Sequence, residues 1–355
     1  MNTKKKKLTV MVTGVGGGGL GEQIIKALRL SPTIDYNIIG SDMSPLSKGL
    51  AVVDVPCLLP AASAPDYMEK LLAICKQQHV KCLFHGSEAE LLKLSECREE
   101  IEAEGILVPM NPKEVISIGM DKSRTIEFLK QEGFLYPQTY RIANIEDIDA
   151  IKDFPVVLKP SVGGGGSANV MIAQNKDELF VFCKYLFNSY TEFIVQEYVG
   201  TPQAEYTVGV LSDLNGEFIN SIAVRRNILS ALSNRIKVPN LSGKKDLGPI
   251  LAISSGVSQG EIGEFREVTE VCERMANKLG STGAINIQCR LVNNQVYVFE
   301  INPRFSGTTS LRAMVGYNEP DVLVRKHIFG EHIEPRFDYE EGYIMRGLEE
   351  SFFKN

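Results

Sequence analysis

The sequence predicts an open α/β domain with a parallel sheet, followed by an α+β region built mainly of antiparallel strands. Three observations carry this. Up to Pro112 strand-like runs alternate with helical stretches, the spacing of βαβ units. Beyond Pro137 a series of strand-like runs follows with few helices between them, several joined by short polar turns. Finally, 355 residues with 44% hydrophobic content exceed one typical domain and are enough for two or three units with their own cores.

Taken in order, "LTVMVTG" is an apolar strand, "GEQIIKALRLS" a helix and "YNIIGSD" a second strand. After a loop come helix "APDYMEKLLAICKQQHV", strand "KCLFHGS" and one long helix "EAELLKLSECREEIEAEG", before "ILVPMNP". The stretch "DKSRTIEFLKQEGFLYPQT" is an amphipathic helix closed by Gly133, with Pro137 beyond it. The strands that follow are "FPVVLKP", "NVMIAQ", "FIVQEYV", "AEYTVGVLSD", "GEFINSIAVRR", "GAINIQCRLV" and "QVYVFEINP", with helices expected at 176–188 and 260–279. "VPNLSGKKDLGP" reads as a flexible loop that either closes on a substrate or has no role.

Composition excludes several classes. The longest apolar stretches are interrupted by charge or Gly well short of the ~20 residues of a membrane span, and "MNTKKKK" followed by "LTVMVTG" lacks a signal-peptide core and cleavage pattern. Seven cysteines without a CxxC motif fit a reducing compartment, so a cytoplasmic location is expected. A net charge of −6 argues against general nucleic-acid binding, and Lys4, Lys5, Lys6 and Lys7 read as a solvated tail.

Two glycine runs compete for a phosphate. In "VTGVGGGGLGEQ", Gly14, Gly16 and Gly19 satisfy G-x-G-x-x-G between strand and helix, and Asp42 ends the next strand where a ribose-binding acid would belong. A run this rich in glycine matches almost any spacing, so a tight strand-to-helix turn and a nicotinamide-cofactor site both stay open. In "VVLKPSVGGGGSANV", Lys159 ends an apolar strand just before the glycines, offering a point charge beside backbone N–H groups that can approach phosphate oxygens. Downstream, "FIVQEYV" has the pattern of a strand whose backbone could pair with an adenine edge, with Glu197 near it and Glu205 within reach of ribose hydroxyls. In "GAINIQCRLVNNQVYVFEINPRFSG", residues two apart share a face, so Glu300 and Asn302 point together and Arg304 continues that side. A three-residue turn at 293–295 would set Gln288 opposite Glu300 and Asn286 opposite Asn302, cross-strand neighbours only ~5 Å apart. Hard oxygen donors with one carboxylate suit Mg²⁺ shared with nucleotide phosphates.

The order of "MDKSRT", "VVLKPSVGGGGSANV", "FIVQEYVGTPQAEYTVGV", "INIQCRL" and "VFEINPRFSGTTSLRAMVG" resembles the ATP-grasp superfamily, nearest in texture to carbamoyl-phosphate-synthetase-like carboxylate–amine ligases. The resemblance covers nearly the whole chain. It implies a Rossmann-like pre-ATP-grasp domain over 1–112 and a two-lobed ATP-grasp module. The module divides into a lid subdomain with a glycine-rich loop over 113–200 and a C-terminal subdomain with the metal site over 201–355. It further implies that Lys122 and Lys159 contact the phosphates of ATP and that Gly163, Gly164, Gly165, Gly166 and Ser167 form the lid loop. Glu197, Tyr198 and the Val199 backbone would meet adenine, and Glu205 the ribose. Gln288, Glu300 and Asn302 would hold Mg²⁺, with Mn²⁺ as the alternative; many members have an acid where this chain has Gln288, but the carbamoyl-phosphate-synthetase branch also has Gln there, so metal binding stands while the number of metals stays open. Arg304, with Lys159 and Asn302, would steady the reacting carboxylate or acyl phosphate.

The activity so implied is amide or peptide bond formation. ATP converts a carboxylate into an acyl phosphate that an amine attacks, releasing ADP and phosphate, with electrostatic stabilisation as the main demand on the protein. The partners are then a small-molecule carboxylate and an amine, with neither nucleic acid nor membrane; a homodimer stays open. For the substrate side the candidates are His85 at the end of a first-domain strand, Arg225 and Arg226 (with Arg235 nearby), and Arg312 after the metal strand. Two alternatives remain: ATP-dependent carboxylation or carbamoyl-phosphate-type activation of bicarbonate, and an NAD(P)-dependent oxidoreductase using the first glycine run.

Overall fold

The computed structural model describes residues 5–16, 19–162 and 169–348. Its first unit comprises β1 (Lys6–Val12), α1 (Leu20–Arg29), β2 (Ile34–Asp42), β3 (Val55–Leu58), α2 (Tyr67–Gln77), β4 (Cys82–Phe84), α3 (Glu88–Glu96) and α4 (Arg98–Ala103). The four strands form a parallel sheet in the order β3-β2-β1-β4. Val10, Met11 and Val12 are all buried, as expected for a parallel strand covered on both faces. The strand begins earlier than expected: Lys6, assigned from sequence to a solvated tail, lies within β1 and pairs with Glu331 at 2.8 Å. The long helix expected after β4 is broken at Cys97 into α3 and α4.

Two helices follow, α5 (Lys113–Met120) and α6 (Lys122–Gln131), the second capped by Asp121, which accepts from the backbone N–H of Ser123 at 2.8 Å. Strands β5 (Thr139–Ile142), β6 (Val156–Pro160), β7 (Met171–Ala173) and β8 (Phe193–Glu197), with α7 (Lys176–Phe187), make a four-stranded antiparallel sheet ordered β5-β8-β6-β7 over its own core of Leu158, Cys183, Phe193 and Val195. Although α5 and α6 fall in the segment grouped with this lid by sequence, Val115, Phe128 and Leu129 pack instead with Val208 and Ile287 of the large sheet.

That sheet is built from β9 (Glu205–Ser212), β10 (Phe218–Arg226), β13 (Gly260–Gly263), β14 (Ala284–Val292), β15 (Gln295–Asn302) and β16 (Gly342–Ile344), in the order β15-β14-β9-β10-β13-β16. Strands β11 (Asn234–Pro239) and β12 (Ile250–Ser254) pair as a separate hairpin, so the expected flexible loop is its connection. Helix α8 (Arg266–Leu279) covers the sheet, and α9 (Thr309–Met314) and α10 (Glu319–His327) follow β15. The stretch 260–279, expected to be helix throughout, opens as strand β13; Phe265, at φ 46°, turns the chain into α8.

The β14–β15 hairpin realises the expected pairing by a different route. Its turn has two residues, Asn293 and Asn294, at φ 51° and 60°, the positive angles a tight hairpin requires, with Val292 facing Gln295. Continued without interruption, that register would set Gln288 opposite Phe299. Instead Cys289 pairs with Val298 and Gln288 with Glu300, so Phe299 is the extra residue of a β-bulge, and Asn286 meets Asn302.

One core joins the first unit to the large sheet, with Val10, Val12 and Ile38 packed in the same cluster as Leu211, Ile222 and Phe305. Tyr36 donates to Asp321 at 2.8 Å and Asn318 to the carbonyl of Ala27 at 2.7 Å. Below the sheet the guanidinium of Arg312, with no exposure to solvent, donates to Glu319 at 3.0 Å and to Asn286 Oδ1 at 2.7 Å. It lies against Gly209, where any Cβ would meet its Nη1. Arg312 was a substrate candidate; it is fully buried, paired with Glu319 and Asn286, and absent from the lining of the candidate active-site cavity, which makes it a structural cation instead. Replacing Arg312 by Ala strands Glu319 as an uncompensated buried charge, and urea unfolding should show a loss of about 3–5 kcal/mol.

Candidate active site

A cavity of about 450 Å³ lies where the first unit, the lid sheet, the β11–β12 hairpin and the large sheet meet. At one end the chain leaves β8 through Glu197, Tyr198 and Val199, all lining the cavity. The Tyr198 side chain is turned into the core, its hydroxyl accepting from Ala252 N at 2.9 Å and donating to Ala252 O at 3.2 Å. Its hydroxyl is thereby spent within the protein, and Tyr198 still lines the cavity. Next along the wall, Lys159 Nζ on β6 donates to Gln196 Oε1 at 2.8 Å and to the carbonyl of the bulge residue Phe299 at 3.2 Å. Burial first, and then the neighbouring Lys122 ammonium, push the Lys159 amine down to about 7. Lys122, at the first turn of α6, also lines the cavity.

The bulge aligns the expected metal-side residues. Gln288 Nε2 donates to Glu300 Oε2 at 2.6 Å, and Asn302 Oδ1 accepts from Arg304 Nη2 at 2.8 Å. The same Arg304 nitrogen donates to Glu88 Oε1 of the first unit at 2.6 Å. Among the described residues no group of three or more His, Cys, Asp or Glu could hold a metal. The donors that do converge, one carboxylate and amide oxygens, are hard ligands that fit Mg²⁺ when nucleotide phosphates complete the shell.

Glu205 lies in the same cavity and is held by two arginines. Its Oε1 accepts from Arg226 Nη1 at 3.1 Å and its Oε2 from Arg290 Nη2 at 3.0 Å, with all three side chains buried. Arg226 also donates to Ser254 Oγ at 2.8 Å, and Arg290 stacks over the Tyr198 ring, 4.4 Å from its centre. Arg226 is therefore in the site, whereas Arg225, the next residue of the strand, is not. It faces the opposite side, paired with Glu261 and lying over Phe265. Arg235 is exposed on β11. His85 is buried behind the cavity wall formed by Gly86, Ser87 and Glu88, with neither ring nitrogen hydrogen-bonded among the described residues. Burial, and then the Arg304 guanidinium, hold it down to about 3, so it is neutral, and it is not among the residues lining the cavity. The lid-loop candidates Gly163, Gly164, Gly165, Gly166 and Ser167 lie outside the described residues.

At the first glycine run Gly14 and Gly21 are set by packing and Gly19 lines the cavity, while Gly17 and Gly18 lie outside the described residues. A Cβ on Gly21 would sit 2.6 Å from the carbonyl oxygen of Gly14, one on Gly86 would meet the same oxygen at 2.6 Å, and one on Gly14 would strike the Glu90 carboxylate. A buried carboxylate at the turn also opposes a phosphate there. Sequence reasoning missed Arg290; it placed Glu88, with Ser87, at a strand end where ligands collect, without its tie to Arg304. Arg290 shares a β14 face with Gln288, a period-two signal that was available; the tie from Glu88 to Arg304 crosses two units and leaves no local trace.

Residues 120–308 match the family model of the ATP-grasp domain and residues 15–109 that of a PylC-like, N-terminal domain. The chain belongs to the ATP-grasp family. The carbamoyl phosphate synthase large chain of Thermoplasma volcanium is 26% identical over 269 residues, 69% of this chain and 24% of the relative. That of Thermoplasma acidophilum is 28% identical over 218 residues, 58% and 19%. The chain thus spans a quarter or less of the length of these curated relatives. Among solved structures, N5-carboxyaminoimidazole synthetase from Staphylococcus aureus complexed with ADP superposes with TM-score 0.62 at 17% identity, covering 91% of this chain and 79% of that one. D-alanine–D-alanine ligase from Bacillus anthracis complexed with ATP gives 0.55 at 18%, covering 92% and 98%. These likenesses establish the fold.

The position of Lys159 generates a pH prediction. In the free protein its ammonium is lost as pH rises through about 7, and an anionic phosphate binds the charged form better. ADP affinity should therefore be highest below pH 7 and fall above it, by up to about tenfold per pH unit, with proton uptake on binding. Titration calorimetry in buffers of different ionisation heat measures both. Lys159→Arg should flatten the dependence.

Proposed function

We propose that this protein is an ATP-dependent carboxylate–amine ligase that forms an amide or peptide bond and releases ADP and phosphate. The observation supporting it most is the convergence of Lys159, Glu300, Asn302 and Arg304 on one cavity that also takes the backbone of residues 197–199. The backbone at Glu197 and Val199 offers groups for adenine, and Lys122 and Lys159 stand where phosphates would run toward Glu300. Mg²⁺, or Mn²⁺ in its place, would be held by Gln288, Glu300 and Asn302 and would neutralise phosphate charge. Arg304, fixed by Glu88 and Asn302, orients the substrate carboxylate toward the phosphates, so that the carboxylate oxygen attacks the γ-phosphorus and ADP leaves. The amine then attacks the acyl carbon, expelling phosphate. No protein nucleophile is required, and the walls from the lid and first unit exclude the water that would hydrolyse the acyl phosphate. The seven free cysteines fit a cytoplasmic setting.

A second reading, activation of bicarbonate, is supported by the name of the curated relatives, carbamoyl phosphate synthase large chains. Phosphate release measured against paired panels of acids and amines separates the two. The ligase requires both an acid and an amine, whereas the second reading gives bicarbonate-dependent release with no other acid. With the productive pair, Glu300→Ala should lower turnover by about 10²-fold or more, while Arg225→Ala, on the opposite face, should stay within about twofold of the parent. Unchanged turnover in Glu300→Ala would remove Glu300 from the metal role.

A further inference from the structure

An aliphatic amine is an ammonium ion at neutral pH, with a pKa of ~10. It attacks an acyl carbon only after a proton has left, so the substrate end of the cavity needs a proton acceptor. The carboxylates that line the cavity are committed elsewhere. Glu205 is held by Arg226 and Arg290, Glu88 by Arg304, and Glu197 stands at the nucleotide end, accepting from the backbone N–H of Gln138. Glu300 is assigned to the cation.

One carboxylate behind the wall has no such duty. Glu90, in the first turn of α3, is 8% exposed and has no cation partner among the described residues, a costly state for a buried carboxylate. Its Oε2 accepts from the Ser87 hydroxyl at 2.8 Å and its Oε1 from the Tyr67 hydroxyl at 3.4 Å. Ser87 lines the cavity beside Glu88, and its Oγ accepts from the Glu90 backbone N–H at 3.2 Å. In a capping box the carboxylate would return to the Ser87 backbone N–H. Here it takes the hydroxyl instead, which leaves Ser87 Oγ one lone pair for a donor in the cavity. Gly14 makes the room, since a Cβ there would strike Glu90 Oε2. Burial raises the Glu90 carboxyl above its ordinary range; Asp42 at the end of β2 acts in the same sense, and hydrogen bonds from Ser87, Thr13 and Tyr67 act against it. A raised carboxyl is the better proton acceptor.

On the ligase reading above, we infer that Ser87, backed by Glu90, is the proton acceptor for the amine substrate. The ammonium N–H bond breaks as its proton passes to Ser87 Oγ, and the hydroxyl proton passes in the same movement to Glu90 Oε2, which frees the nitrogen lone pair. That pair forms the C–N bond. The bond from the acyl carbon to the phosphate oxygen breaks, and the second amine proton leaves with the phosphate. Glu90 returns its proton through Ser87 to water as the products leave. The position suits the step, because the neighbouring Glu88 holds Arg304, the group that orients the reacting carboxylate.

Hydroxylamine is already a free base at neutral pH and needs no proton acceptor, so it separates this role from a structural one. A panel of acids with Mg-ATP and hydroxylamine, read by the ferric colour of the hydroxamate, finds the acid; phosphate release with a panel of amines then finds the amine. Glu90→Gln should lower turnover with the amine by about 10²-fold, and the loss should be smaller by about tenfold or more with hydroxylamine on the same acid. At saturating Mg-ATP, kcat/KM for the amine in the parent should fall as pH drops and Glu90 takes up a proton. In Glu90→Gln that limb should give way to a rise of about tenfold per pH unit toward the pKa of the amine. Ser87→Ala should show the same split between nucleophiles, and Ser87→Thr, which keeps hydroxyl and cap, should recover most of it, with ADP affinity by titration calorimetry reporting that each variant is folded. Equal losses with amine and hydroxylamine, or undiminished amine turnover in Glu90→Gln, would overturn the inference and leave the ligase reading in place. A parent chain that yields neither hydroxamate nor amine-dependent phosphate release with any acid would overturn both.

Discussion

The active-site wall depends on one extra residue in one strand. The Asn293–Asn294 turn and an unbroken ladder would leave Glu300 beside the wrong neighbour and turn its carboxylate away from Gln288. The bulge at Phe299 shifts the register by one residue, and since side chains alternate with period two, that shift decides which face Glu300 and Asn302 share with Gln288 and Asn286. The carbonyl of the bulged residue also meets Lys159 from the lid sheet. A single backbone irregularity thus sets the positions of Glu300 and Asn302 and ties their strand to Lys159.

Charge balance is the second organising fact. Lys122, Lys159, Arg226, Arg290 and Arg304 line the cavity against Glu88, Glu197, Glu205 and Glu300. Burial makes the cations costly, and the protein meets the cost in different ways. Arg226 and Arg290 share Glu205, Arg304 leans on Glu88, and Lys159 gives up part of its charge in the free state. The result is a cavity that is moderately positive before a ligand enters and well matched to a polyanion that brings its own dication.

The parts of this arrangement that were legible in the sequence are those that depend on local periodicity. Alternation in "VYVFEIN" placed Glu300 and Asn302 on one face, and the apolar strand ending at Lys159 placed that lysine at a sheet edge. The pairing of Gln288 with Glu300 was anticipated from a three-residue turn, although a two-residue turn and a bulge produce it, because both routes add one residue to the same hairpin. What sequence left hidden was non-local. The adjacent arginines Arg225 and Arg226 have the same chemistry, and only the burial of one face of β10 separates a surface ion pair from a cavity cation. Arg312 carried no sign of the missing side chain at Gly209 that makes room for it, and α5 and α6 gave no hint that their apolar faces belong to the large sheet.

The contact between Glu88 and Arg304 joins residues 216 positions apart in the chain. It makes the first unit a part of the cavity and more than a neighbour to it, since the guanidinium proposed to face the substrate is held by a carboxylate at the start of α3. Recombination that exchanged the first unit between relatives would therefore exchange an active-site residue with it. In this chain the boundary between the two matched domains, between residues 109 and 120, does not coincide with the boundary of the cavity.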